Sequence, residues 1–246
     1  MIQKKGKALY TAAAAAAISS LVAAHSTDAA VLFATDDVGI QEEAPNSTDN
    51  DATAVARYDA IDDNEWIAVQ FDLTGIDKTR VIDAGVRVTM HRGNSNNNKN
   101  LALFATDGQT WDESNVTFNT MPGLTYDGSF ATRGEDLSIA TDLAPSGFAV
   151  TGAEAEGTMV TLNPASLTTY INNMSSNTLS FLISFESLSN GTWNVATKEA
   201  TNLASGVLVP DGHEPALVYD LAPIPEPTSL ALLGLGGLGL LRRRRN

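Results

Sequence analysis

Two sets of residues in this 246-residue chain have the chemistry to hold a ligand. The first is aromatic. Trp66, Trp193, Tyr58 and Tyr126 each offer a flat ring with a polar edge, the surface a sugar ring lies against when hydrogen-bonding side chains stand beside it. Trp66 falls on the strand face opposite Ile67, Val69 and Phe71, and Trp193 follows the polar Asn190-Gly191 pair. Both are therefore expected toward solvent, whereas Trp111 is expected in the core. The second set is acidic. Asp36, Asp37, Asp49 and Asp51 crowd one stretch that reads as a polar loop, and Asp62, Asp63 and Glu65 form another group. Carboxylate oxygens are hard ligands suited to calcium, the one cofactor the sequence suggests. No twelve-residue EF-hand order accompanies them, and acidic loops are common in so acidic a chain.

Other chemistries are poorly provided for. The chain has no cysteine, which excludes a catalytic thiolate and any thiolate metal site. Of its 3 histidines only His91 and His213 lie beyond the N-terminal leader, too few for a three-histidine zinc site. No nucleophile-elbow, phosphate-loop or dinucleotide-binding pattern occurs. Carboxylates are plentiful, but nothing orients a pair at the separation that glycoside hydrolysis demands. The expectation is a module that binds without catalysing. A secreted polysaccharide lyase or hydrolase is the alternative, and a structural matrix protein without a ligand is the third reading.

The elements that must position these groups lie between two processing segments. Lys4, Lys5 and Lys7 precede an apolar run from Ala8 to Ala24, and Thr27 and Ala29 satisfy a small-x-small cleavage rule. Residues 1–29 therefore read as a secretory signal peptide. At the other end Pro225-Glu226-Pro227 is held extended by its prolines. Behind it stand the uncharged run Leu230 to Leu241 and then Arg242, Arg243, Arg244 and Arg245. Twelve residues reach about 18 Å as a helix, short of a roughly 30 Å hydrocarbon core. The arginines would mark the cytoplasmic side and stop the segment there.

Removing residues 1–29 and the tail after Pro227 takes away seven positive charges and one negative, so the formal charge moves from −14 to −20. A surface that acidic excludes nucleic acid and anionic lipid as natural partners. It also repels acidic polysaccharide unless a cation bridges the two.

Residues 30–221 carry short alternating apolar runs broken by Thr, Ser, Asn, Gly and Asp. The cleanest are Glu65 to Leu73, Val81 to Arg92 and Thr178 to Phe185, with weaker ones at 31–34, 53–58, 101–106, 159–162, 192–197 and 216–221. One short helix is expected after Asn163-Pro164, with Leu167, Tyr170 and Ile171 on its inner face. Roughly ten short strands and one helix predict an all-β fold: an antiparallel two-sheet sandwich of the jelly-roll type. The terminal segments are expected to be helical.

Two resemblances add to this reading. Pro225, Glu226 and Pro227, the Leu/Gly run and the arginine cluster, in that order, resemble the PEP-CTERM sorting signal (residues 222–246). The resemblance implies a Gram-negative source, export through the Sec translocon, brief retention at the inner membrane, and cleavage by an exosortase. Delivery to the cell surface alongside exopolysaccharide, as in a biofilm, would follow.

The second resemblance rests on three stretches: Val69-Gln70-Phe71-Asp72-Leu73, Trp111-Asp112-Glu113-Ser114 through Asn119 to Pro122, and Thr197-Lys198-Glu199-Ala200 followed by Pro215 to Tyr219. Together these resemble the DNRLRE domain, a secreted β-sandwich related to carbohydrate-binding modules. Phe118 stands where that family usually has tryptophan, and its arginine-rich strand is missing. The resemblance implies extracellular polysaccharide as the partner.

Overall fold

The computed structural model describes residues 29–49, 51–58, 64–93, 99–125, 135–150, 154–187 and 189–224. Asp62, Asp63, Tyr126, the leader and the whole segment from Pro225 to Asn246 lie outside the described residues, and with them the expected terminal helices. Among the described residues no helix is long and apolar enough to cross a membrane.

Ala29–Ala222 makes one compact unit. Its strands are β1 (Ala30–Phe33), β2 (Asp36–Gln41), β3 (Thr53–Tyr58), β4 (Glu65–Asp72), β5 (Val81–Met90), β6 (Lys99–Asp107), β7 (Ala140–Asp142), β8 (Phe148–Val150), β9 (Met159–Leu162), β10 (Thr178–Phe185), β11 (Ser189–Ala196) and β12 (Ala216–Leu221). A helix, α1 (Ala165–Asn173), sits between β9 and β10.

The period-2 alternation of β4 and β10 does what it predicts. The two strands pair antiparallel, with Phe71 opposite Leu179, Val69 opposite Phe181 and Ile67 opposite Ile183, and the rows continue onto Ala105 and Leu103 of β6. This second sheet is completed by β2 against β4 and by β7 and β8 against β6. The first sheet runs β1–β12–β5–β11–β3, with β9 also on β5. A single pair, Arg57 opposite Glu65, joins the two sheets through β3 and β4. The result is the expected all-β antiparallel sandwich. Between its sheets lies a core that includes Val69, Phe71, Val86, Val88, Met90, Phe181, Trp193 and Val195, with Leu167 and Ile171 of α1 closing it.

Two details depart from the expectation. Asp36 to Gln41 is a strand, not the start of a loop. Val38 and Ile40 alternate there, but only over one short stretch in which Asp37 and Gly39 take the remaining positions, so polar content hid the strand. Pro164, extended at φ −61 and ψ 137, caps α1 in place of Asn163. Asn163 is left outside the helix and exposed.

The second sheet is buried on both faces. Its outer face holds Trp66, Ala68, Ala102, Phe104 and Leu182, and the segment 111–124 lies over them through Val116, Phe118, Met121 and Leu124. Close approach needs Gly123: its φ is +94, and a Cβ there would stand 3.0 Å from Leu182 Cδ1. The polar frame of this cover is Gln70, which receives the Trp111 N–H at 3.2 Å and donates to the Trp111 carbonyl at 3.3 Å and to Asp36 Oδ2 at 2.8 Å.

Candidate functional site

Two of the aromatic residues expected to meet a sugar, Trp66 and Trp193, are withdrawn from solvent. Trp66 does lie on the outer face of its sheet, but the 111–124 segment covers that face and leaves it 0 % exposed. Its ring packs against Phe104 at 6.1 Å between centroids. Trp193 is equally buried, on the inner face of β11. Tyr58 packs half-buried against the same inner core. Neither tryptophan presents a free face, because apolar burial outweighs the polar neighbourhood in sequence. Trp111 is half-buried on the second core, with its indole N–H donated to Ser180 Oγ at 3.1 Å.

An open face exists elsewhere. It lies on the outer side of the first sheet, at the rows beyond the reach of loop 207–214 among the described residues. Register brings Phe33, Ala216, Arg87 and Thr161 into one cross-strand row. Val31, Val218 and Gly85 make the next row, and Asp220 and Asp83 a third. A cleft of about 90 Å³ opens here, lined by Asp83, Gly85, Thr161, Asn163, Val218 and Asp220. Gly85 forms its floor: a Cβ would come within 2.6 Å of Thr161 Cγ2 and 3.1 Å of Asn163 Cβ.

Beside the cleft Phe33 is 46 % exposed and Val31 44 %, an apolar shelf next to polar groups. Asp220 Oδ1 is buried without a hydrogen-bond partner. Arg87 Nε is buried in the same state, while its Nη2 donates to the Gly212 carbonyl at 3.3 Å. The 207–214 loop that supplies this carbonyl covers the upper half of the face, where His213 O accepts from Thr89 Oγ1 at 2.8 Å. An enclosed small-molecule site usually runs to roughly 300–1,000 Å³. The cleft is far smaller, so it suits one edge of a chain laid across the sheet and not an engulfed substrate.

The four acids expected together in one loop divide into separate places. Asp36 is held by Gln70. Asp49 and Asp51 form their own pair, and burial, then the charge of Asp51, pushes the Asp49 carboxyl up. Asp37 joins a different group. Its carboxylate, that of Glu113 and that of Glu199 place ligand oxygens within 4.8 Å of one another, the one such three-acid cluster among the described residues.

Lys198 threads this cluster. Its backbone N–H donates to Asp37 Oδ2 at 2.9 Å. Its ammonium stands 2.6 Å from Glu113 Oε2 and donates to the Thr35 carbonyl at 2.7 Å. Asp37 is 1 % exposed, and its Oδ1 has no partner. Burial first, then the charge of Glu199, pushes the Asp37 carboxyl up to about 8 against the opposing pull of Lys198. Burial alone would lower the Lys198 ammonium, but the hydrogen bond and charge of Glu113 raise it.

Sequence reasoning missed the cleft because it tracked the inward residues of each strand. The outward set of β5, Asp83-Gly85-Arg87, was the available signal: a glycine between two charges on the exposed alternation of a long strand. It likewise saw Glu113 and Glu199 only inside separate motifs, and nothing local joins positions so far apart in the chain.

Residues 29–136 match the model of carbohydrate-binding module family 96. This span covers β1 to β6 and the segment over the second sheet, so it supplies Phe33, Asp83, Gly85 and Arg87, while Thr161, Asn163 and Asp220 lie beyond it. Residues 223–245 match the PEP-CTERM protein-sorting motif. No curated protein matches the chain.

Proposed function

We propose that this PEP-CTERM protein, whose folded part is related to carbohydrate-binding modules, holds an uncharged polysaccharide of the extracellular matrix in the Gly85 cleft. The observation that carries the reading is the cleft itself: a groove on a sheet face with an apolar shelf beside it and several hydroxyl-matching side chains in its lining. A sugar chain has the complementary surface. Its C–H faces lie on Phe33 and Val31, and its hydroxyls donate to Asp220 and Asp83 and accept from Asn163, Thr161 and Arg87. The carboxylates of Asp83 and Asp220, in a chain of charge −20 after processing, disfavour polyuronates and sulfated glycans. The sorting motif supports a site of action outside the cell. Exosortase would release the tail after the Pro225-Glu226-Pro227 motif, and the sandwich would remain with exopolysaccharide in the biofilm. Binding and not turnover fits a 90 Å³ cleft in which the two acids are neighbours across one strand pair.

Affinity electrophoresis of the purified protein in gels containing an uncharged glucan or a polyuronate tests this. Retardation by the glucan, weakened at least tenfold in a Phe33→Ala, Asp220→Ala double variant, is expected. Equal retardation of the native and variant proteins, or preference for the polyuronate, refutes the assignment.

A further inference from the structure

Asp37 is the second residue of β2, at the edge of the second sheet, and pairs with Val69, a residue of the inter-sheet core. Glu113 reaches it from the cover over that sheet, and Glu199 from the turn after β11 of the other sheet. With all three carboxyls ionised, as around a bound cation, and one ammonium, Lys198, the cluster has two negative charges left to balance. Asp37 Oδ2 takes the Lys198 N–H, and Glu113 Oε2 takes the Lys198 ammonium and, at 3.3 Å, the Asp37 N–H. Asp37 Oδ1 is buried and unpartnered. A buried carboxylate oxygen normally has a donor or a cation against it, because desolvating a charge without a partner is costly.

We propose that Asp37, Glu113 and Glu199 bind one hard divalent cation of the calcium type. A charge of +2 closes the balance of the cluster, and oxygen-only ligands match a hard cation. Glu199 is exposed and Asp37 buried, so the ion enters past Glu199 and water completes its shell on that side. Long glutamate arms from two turns give a site of adjustable shape, which suits calcium better than the strict octahedron of magnesium. Bound there, the ion ties the start of β2, the cover of the second sheet and the turn after β11 at one point. This proposal stands independently of the sugar cleft, which shares none of its residues.

The test is thermal unfolding and calorimetric titration of the full chain after chelation, with calcium or magnesium added back. One equivalent of calcium binds, and the unfolding midpoint rises by roughly 5–10 °C at a hundredfold excess over the Kd. Glu199→Gln, at an exposed position where the fold does not depend on it, weakens calcium at least tenfold. Asp37→Asn abolishes the shift while folding normally, since the amide has the shape of the carboxyl it replaces but cannot ionise to hold the cation. Absence of any calcium-dependent shift in the native protein overturns the proposal. A shift that survives unchanged in both variants places the ion elsewhere, and an equal response to magnesium at the same concentration overturns the calcium-type assignment.

Discussion

Replacing Asp107 with asparagine isolates one electrostatic contribution to the fold. Asp107 ends β6, and its carboxylate receives four hydrogen bonds from the link between α1 and β10. They come from Ser175 N–H at 2.8 Å, Ser175 Oγ at 2.8 Å, Ser176 N–H at 3.0 Å and Ser176 Oγ at 2.5 Å. Burial opposes the charge, but these donors outweigh it and hold the carboxyl at about 2, below its ordinary 3.8. At about 1.4 kcal/mol for each pH unit, that difference is roughly 2.5 kcal/mol, and solvent around a largely accessible carboxylate screens it to about 1 kcal/mol.

Asparagine keeps one acceptor oxygen but turns an NH₂ toward donors. Asp107→Asn should therefore lose about 1–2 kcal/mol near neutral pH, or a few degrees in Tm for a domain of this size. The sign follows from linkage. A depressed folded pKa gives stability that is fully present above the unfolded value and is lost as pH falls through the folded one. The gap between native and variant proteins stays constant above about pH 5 and closes between about pH 4 and pH 2. Urea unfolding followed by tryptophan fluorescence across that range measures it. A gap that stays the same at about pH 2.5 as at neutrality, or no gap at any pH, would refute the argument.

Other outcomes follow from the same geometry. Gly85→Ala forces a Cβ to 2.6 Å from Thr161 Cγ2 and should cost about 1–3 kcal/mol in denaturant unfolding while narrowing the cleft. Trp66→Ala should cost about 3–5 kcal/mol, since its ring is wholly enclosed, and any remaining folded protein should bind glycan as before because the ring is not at the cleft. Intact-mass measurement of protein recovered from the cell surface should show loss of the residues after about Pro227, and retention of Arg242 to Arg245 would overturn sorting by the tail.

The inner faces of β4, β5 and β10 were plain in the sequence because large apolar side chains recur there at every second position, a period no helix shares. Thr53–Tyr58, Met159–Leu162 and Thr178–Phe185 fall where their alternation put them. The exposure of Trp66 was not legible. Alternation gives the face a side chain points to, but whether that face meets water depends on where the 111–124 segment folds, and its cover is made by contacts more than forty residues away in sequence. Asp37 shows the same limit from the acidic side. Its neighbours in sequence suggested a ligand set with Asp36, Asp49 and Asp51, whereas strand pairing sends Asp36 to Gln70 and leaves Asp37 to meet Glu113 and Glu199. Local pattern encodes orientation, and only topology encodes company.

That topology also settles which surface is available to a polymer. The second sheet spends its outer face on its own chain, with Phe118, Met121 and Val116 filling the place a ligand would occupy. On the first sheet loop 207–214 lies over Thr89 and Arg87, and Gly85 keeps the neighbouring row concave where a side chain would meet Thr161. An extended glycan needs a long surface; the row from Val31 to Gly85 crosses three adjacent strands and the row from Phe33 to Thr161 crosses four. The longer row runs from β1 to β9, elements far apart in the chain. A fragment ending at residue 136 would keep Phe33, Asp83 and Arg87 yet lose β9 and β12, and with them Thr161, Asn163 and Asp220. Such a fragment should therefore fail to bind glycan, because the face is a property of the closed sheet and not of the matched segment.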